Sequence, residues 1–316
     1  MITSIANCTI AAVAVTATAI SVGYSQGKTN QSAFKAIDLQ PAAKDNISRL
    51  ALLSSALIET AAILGVFIAI LLLLENFPST APLYTEIAKL GIGLAIIPTG
   101  FIIGFVSAWP ASQACYTTAR QPFIAPWIFN FTLIVLSIIQ TPLILAFIIA
   151  LFIKAQAANV TDLWDALRLV GAGFAIGIGS IGPAIGLAFF AYTACKGLGI
   201  NRNVAGKLLT FTLVSQAIIE SPIIFAMVTS LVLLFTTPAN NMVAGVTLLS
   251  AGLAMGLGTM GPGLSSGRTA AAACAQLAYN PNLYTQLART SIFAQGVIDT
   301  AAIYVLLISL FMIFIV

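Results

Sequence analysis

The sequence predicts an all-α integral membrane protein of eight transmembrane helices in four tandem helical hairpins. Three observations predict it. The 316 residues are 59% hydrophobic and only 7% charged, a balance foreign to soluble domains. The apolar residues gather into runs of roughly 20 or more, long enough to cross a ~30 Å hydrocarbon core as helices. One arrangement also recurs four times. Glu59, Gln140, Glu220 and Asp299 each lie deep in such a run, at near-equal spacings of 140 − 59 = 81, 220 − 140 = 80 and 299 − 220 = 79.

The expected spans are 3–25, 47–74, 83–112, 123–153, 165–195, 204–236, 241–272 and 285–315. Several exceed the length a bilayer needs, so they tilt or project beyond it. Taken in pairs they give hairpin repeats 1–78, 79–159, 160–239 and 240–316. The start, Met1 to Ile20, is apolar but lacks the basic n-region of a signal peptide. It supplies the first helix of repeat one and is expected to be retained.

The first helices of the later repeats are rich in glycine. Repeat three carries Gly171, Gly173, Gly177, Gly179, Gly182 and Gly186, and repeat four carries Gly252, Gly256, Gly258, Gly261, Gly263 and Gly267. Repeat two has fewer, and repeat one uses mainly Ala and Thr between Ala11 and Ala19. In lipid, helices gain little from hydrophobicity, and small residues let backbones approach.

A polar turn follows each first helix: Leu39-Gln40-Pro41, Arg120-Gln121-Pro122, Ile200-Asn201-Arg202 and Tyr279-Asn280-Pro281. An amide followed mostly by proline suits a tight turn. The second helices then bring the key residues, each followed by a small hydroxyl: Thr60, Thr141, Ser221 and Thr300. Lys and Arg gather in the hairpin turns (Lys28, Lys35, Lys44, Arg49, Arg120, Lys196, Arg202, Lys207, Arg268 and Arg289), with only Lys89, Lys154 and Arg168 between hairpins. Ten against three places the turns in the cytoplasm and both termini on the opposite side.

Much chemistry is excluded. Histidine is absent, which removes His-based metal sites and Ser-His or Cys-His catalysis. Cys115, Cys195 and Cys274 each fall at one fixed distance before their own key residue (140 − 115 = 220 − 195 = 299 − 274 = 25), where repeat one has Phe34. That pattern reads as small-residue packing, and no CxxC is present. The +4 net charge comes from dispersed basic residues, so no nucleic-acid partner is expected. No Walker-type GxxxxGK[ST] motif is present either, so no phosphate-binding loop of that kind is expected.

A carboxylate in a membrane helix is a functional hypothesis by default. None of the three has a Lys or Arg within a helical turn, and burial without a cation favours the neutral acid. Such a group can shed its proton when a positive charge approaches. Three in register suggest one ion-handling unit copied four times. Gln140 cannot ionise but can still donate and accept hydrogen bonds.

A glycine-laddered helix, a polar turn of the Arg-Gln-Pro type and a second helix with a mid-membrane carboxylate resemble the proteolipid of rotary ATPases. Gly171–Phe235 is similar most fully and Gly252–Ile315 nearly as much. Ala119-Arg120-Gln121-Pro122 resembles the polar loop of the F-type branch, while covalent duplication is a feature of the vacuolar-type branch. The resemblance implies hairpins assembled with other copies into a rotor ring in the lipid, with no cofactor. Glu59, Glu220 and Asp299 match the ion-binding carboxylate. Each would carry a proton, or less readily a sodium ion, past the essential arginine of a stator protein. Central-stalk proteins would hold the polar turns at Gln40, Pro41, Arg120, Gln121, Pro122, Asn201, Arg202, Asn280 and Pro281. Gln140 marks a lost site. Thr60, Ser221, Thr300, Gln26, Ser266 and Tyr304 are the expected neighbours of the ion. A bacterial inner membrane is the expected location. Two rivals remain open: a self-contained secondary transporter, which predicts broken helices and a substrate site between repeats, and a non-catalytic pore derived from a proteolipid.

Overall fold

The computed structural model describes residues 5–75, 82–237 and 241–315. The repeat boundaries expected at 78/79 and 239/240, and the first span's start at residue 3, lie outside them. Among the described residues eight helices are long and apolar enough to cross a membrane. The first hairpin is α1 (Ile5–Leu39) and α2 (Lys44–Leu73), and the second is α3 (Leu83–Val106), α4 (Ala108–Arg120) and α5 (Ala125–Ala157). The third is α6 (Leu163–Gly179), α7 (Ile181–Ile200) and α8 (Ala205–Phe235). The fourth is α9 (Met242–Gly258), α10 (Met260–Tyr279) and α11 (Tyr284–Phe314).

The turns fall where expected. Gln40, Gln121 and Asn280 leave helical geometry, with ψ of 78°, 62° and 75°, because the following proline disfavours the α region for the residue before it. Asn201 lacks that proline, and its side chain instead accepts a hydrogen bond from the Asn203 N–H at 3.0 Å. A short 3-10 turn then starts each second helix.

The helices, however, run further than the hydropathy pattern. The first span, expected to end at 25, continues to Leu39; those expected to end at 112, 195 and 272 reach Arg120, Ile200 and Tyr279. Hydropathy registers only the apolar part, whereas backbone hydrogen bonding continues through polar residues until the turn stops it. Two basic residues move with this correction. Lys28 and Arg268 lie within α1 and α10, each about three turns before the hairpin turn.

First helices are continuous in repeat one and interrupted at a single residue in the other three. The breaks lie at Ser107, Ser180 and Thr259, each three residues before a proline: Pro110, Pro183 and Pro262. Proline removes one ladder hydrogen bond and pushes on the preceding turn. Repeat one has Val22 where repeats three and four have proline, counting 37 back from the key residue.

Two rows result. In the first, α1 packs on α3 and α4, α3 on α6, α4 on α7, α6 on α9 and α7 on α10; in the second, α2 packs on α5, α5 on α8 and α8 on α11. Each second-row helix also packs on the first-row helix of its own hairpin. Glycine makes the first row tight. A Cβ on Gly173 would collide with the Gly91 carbonyl, one on Gly252 with that of Gly171, and one on Gly186 with that of Gly263. Second-row contacts carry bulk instead, with Phe67 against Phe147 at 5.6 Å and Phe152 against Phe235 at 6.1 Å between ring centroids.

At the end away from the turns, charged residues fasten neighbouring hairpins. Glu75 lies 3.7 Å from Lys89 and 3.9 Å from Lys154, and Glu86 accepts from the Ala6 N–H at 2.9 Å. Arg168 pairs with Asp165 at 2.7 Å and donates to the Leu233 and Leu234 carbonyls at the end of α8.

Candidate functional site

The four key residues sit on the second row, in α2, α5, α8 and α11. Gln140 and Asp299 are buried, Glu220 is half-buried and Glu59 is exposed. Each of the last three key residues meets the hydroxyl of the preceding hairpin. Thr60 Oγ1 donates to Gln140 Oε1 at 3.0 Å. The Thr141 side chain lies beside Glu220. Ser221 Oγ donates to Asp299 Oδ2 at 2.5 Å. The site is therefore built between hairpins, one supplying the hydroxyl and the next the acid.

The hydroxyls are held by their own helices. Ser221 Oγ also bonds the Ile218 carbonyl at 2.8 Å. That carbonyl is free because Pro222, four residues on, has no N–H to offer it. Thr60 bonds the Leu57 carbonyl at 2.8 Å and Thr300 the Val297 carbonyl at 2.7 Å. Gln140 fills both hydrogen-bonding roles of a protonated carboxyl: beyond accepting from Thr60, its Nε2 donates to Ser107 Oγ at 3.3 Å. Ser107 is also where the first helix of repeat two is interrupted.

The other expected neighbours are not placed alike. Gln26 lies inside α1, not at a helix end, and its Nε2 donates to the Ser55 carbonyl at 3.2 Å, one turn before Glu59. Ser266 is fully buried on α10, and its hydroxyl has no partner among the described residues. Tyr304 is 65% exposed on α11. All nine polar-loop residues are at the turn end, with Pro41, Arg120, Arg202 and Asn280 exposed.

Sequence reasoning missed three residues. Thr141 belongs to the hairpin that lost its acid, yet it serves Glu220. Gln216 and Gln295 are both fully buried, one turn before Glu220 and Asp299. Gln295 Nε2 reaches Ser215 Oγ at 3.3 Å and Ser291 Oγ at 3.1 Å. Both polar atoms of Gln216, with Gln295 Oε1 and Asp299 Oδ1, are buried without a protein partner among the described residues. The signal was present: a glutamine four residues before the acid in repeats three and four.

A sequence model for the C subunit of ATP synthase matches residues 9–72 and 249–312, which are the first and fourth hairpins. The chain is 39% identical over 71 residues to the ATP synthase c-subunit of Dehalococcoides mccartyi strain CBDB1, covering 22% of this chain and 93% of that protein. The chain belongs to the ATP synthase c-subunit family. The ATP synthase c-subunit numbered 1 of Syntrophotalea carbinolica is 35% identical over 75 residues, covering 24% of this chain and 85% of that protein. The Aliarcobacter butzleri c-subunit is 32% identical over 84 residues, covering 27% and 81%. Each relative thus corresponds to about one hairpin, and this proteolipid holds four in one chain.

Proposed function

We propose that this chain is a rotor subunit of a rotary ATPase or ATP synthase that carries protons on Glu59, Glu220 and Asp299. The observation that carries the reading is the recurring register: Glu59, Glu220 and Asp299, with Gln140 in repeat two, stand at one position of the four second-row helices, and Ser221 of the third hairpin donates to Asp299 of the fourth. Copies of the chain form a ring with the glycine row inside and the acid row facing lipid. Each acid is neutral in lipid, ionises beside the arginine of the stator's a-subunit, takes a new proton and moves on. Central-stalk subunits hold the polar turns. Gln140 passes the stator without exchange, because its amide mimics the protonated acid and cannot ionise. Three carriers per eight helices means fewer ions per turn of the ring, which suits building a steep gradient by hydrolysis.

Protons are favoured over sodium because the three sites offer different oxygen sets. One register of the first helix (59 − 26 = 220 − 187 = 299 − 266 = 33) holds Gln26 in repeat one, Leu187 in repeat three and Ser266 in repeat four. Sodium needs several oxygens at every site, while a proton needs one protonatable oxygen. The turns face the cytoplasm of a bacterial inner membrane. Removing Lys28 and Arg268 from the turn count leaves 10 − 2 = 8 basic residues against three. Those three are themselves paired with Glu75 or Asp165.

The test replaces the acids together, as Glu59→Gln, Glu220→Gln and Asp299→Asn, in the assembled complex. ATP-driven acidification of vesicles is expected to vanish. Coupled transport that survives the triple substitution would end the rotor assignment and favour the proteolipid-derived pore.

A further inference from the structure

The junction of the first two hairpins holds a cavity that the acid sites do not use. It lies between α2 and α5 at the turn end of the second row and measures about 230 Å³. Asn46 and Arg49 of α2 line it with Phe129 and Asn130 of α5, and Ala125 and Pro126 complete its wall.

The charge in this cavity is uncompensated. Arg49 stands over the Phe129 ring, 5.3 Å from its centroid. A guanidinium stacked on a ring keeps its in-plane N–H groups free, and their fork matches the oxygens of a phosphate. Among the described residues Arg49 enters no ion pair. Asn46 and Asn130 add carboxamide donors, and both are exposed. No carboxylate lines the cavity; Asp45, next to Asn46 in the chain, lies outside its wall.

Depth points to the occupant. Residues 50–74, between Arg49 and Glu75, carry Glu59 as their one charge, and residues 131–153, between Asn130 and Lys154, carry none. Each stretch is about what a ~30 Å hydrocarbon core requires, so Arg49 and Asn130 fall where acyl chains end and phosphates begin. One turn deeper on the same faces, Leu53 and Ile134 are large apolar side chains left exposed.

The other two junctions inside the chain do not repeat this set. At the register of Arg49 (59 − 49 = 140 − 130 = 220 − 210 = 10) hairpins two and three have Asn130 and Thr210. At the register of Phe129 (140 − 129 = 220 − 209 = 299 − 288 = 11) hairpins three and four have Leu209 and Ala288, which offer no ring. Lys207 is a cation near the last junction, but it donates to the Pro281 carbonyl at 3.3 Å.

We propose that the cavity binds the phosphate of an anionic phospholipid from the turn-side leaflet. Arg49 grips the phosphate oxygens, Asn46 and Asn130 donate to them, and the acyl chains run down past Leu53 and Ile134. A zwitterionic headgroup would need a carboxylate to seat its ammonium, and the wall has none. The site does not rest on the rotor reading; it requires only that α2 and α5 span a membrane.

Native mass spectrometry of the full-length protein tests the site. Delipidated protein in mild detergent is titrated with phosphatidylglycerol. A first lipid per chain is expected to stay bound at concentrations where phosphatidylcholine is lost. Arg49→Gln is expected to weaken retention roughly 10-fold. Phe129→Leu, which removes the ring beneath the guanidinium, is expected to weaken it roughly 2- to 5-fold. Lys207→Gln, a cation at the same end already spent on a carbonyl, is expected to change nothing. Retention indifferent to Arg49→Gln, or reduced as much by Lys207→Gln, overturns the site. Millimolar inorganic phosphate is expected to leave the lipid in place. Displacement by phosphate, or equal retention of phosphatidylcholine, overturns an anionic lipid as the occupant.

Discussion

A hydroxyl one residue past an acid does nothing for that acid. Thr60, Thr141 and Ser221 each serve the next hairpin's key residue. A helix turns by about 100° per residue, so adjacent side chains point toward different neighbours. This explains how repeat two can lose its acid and keep a role: Gln140 receives Thr60, and Thr141 still supports Glu220. It also makes Gln140 the position most easily converted. Thr60 and Ser107 already bond its side chain, and a protonated glutamate has nearly the same shape. Gln140→Glu is expected to fold, to assemble and to raise the acids modified by carbodiimide from three to four per chain, as counted by peptide mass. A ring with Gln140→Glu that still shows three reactive acids would mean that the repeat-two position is shielded for a reason other than its side chain.

Helices in this chain are sorted by what they touch. First-row helices meet backbone to backbone, and their glycines stand where a methyl group would strike a carbonyl of the next helix, as Gly173 does at Gly91 and Gly177 at Leu94. Repeat one reverses the arrangement. Thr18 and Ser21 of α1 project, and Gly65, Gly100 and Gly104 make room for them. Gly173→Ala therefore overpacks a rigid contact, at a cost of about 1–3 kcal/mol. It is expected to lower the temperature at which the detergent-solubilised protein unfolds. Gly206→Ala, where a Cβ meets nothing within 4 Å, is the matched control and is expected to leave it unmoved. Equal shifts for the two variants would mean that general helix propensity, not the Gly91 contact, sets the effect.

At the scale of the whole molecule, fusion fixes an order that separate hairpins lack. Charged ties join specific neighbours, with Glu75 holding Lys89 and Lys154 between the first two hairpins and Arg168 and Asp165 acting within the third. The proteolipid thus presents one modified site and three acids in a set sequence, and any assembly repeats that sequence as a block. Native mass spectrometry of the purified assembly is expected to give integer multiples of the 32.9 kDa chain. A view down its axis is expected to count first-row helices in multiples of four. A monomer as the predominant species would point to the self-contained transporter instead.

The sequence by itself determined the class, the repeat, the turn positions and the identity of the acids. Each of these is written locally, in an apolar run, an amide-proline pair or a charge inside a hydrophobic segment, so no partner is needed to read it. It misjudged how far the helices reach, because polar residues such as Gln26 to Ser32 of α1 lower the hydropathy without ending the helix. The buried Gln216 and Gln295 were in register but were read as background, since one glutamine in a long helix says nothing about which way it faces. Only the tertiary structure decided which hydroxyl meets which acid and which glycines at the chain's edges lack a neighbour. Those depend on the rotation and axial offset of helices from successive repeats, and packing against the next backbone, not local pattern, sets both.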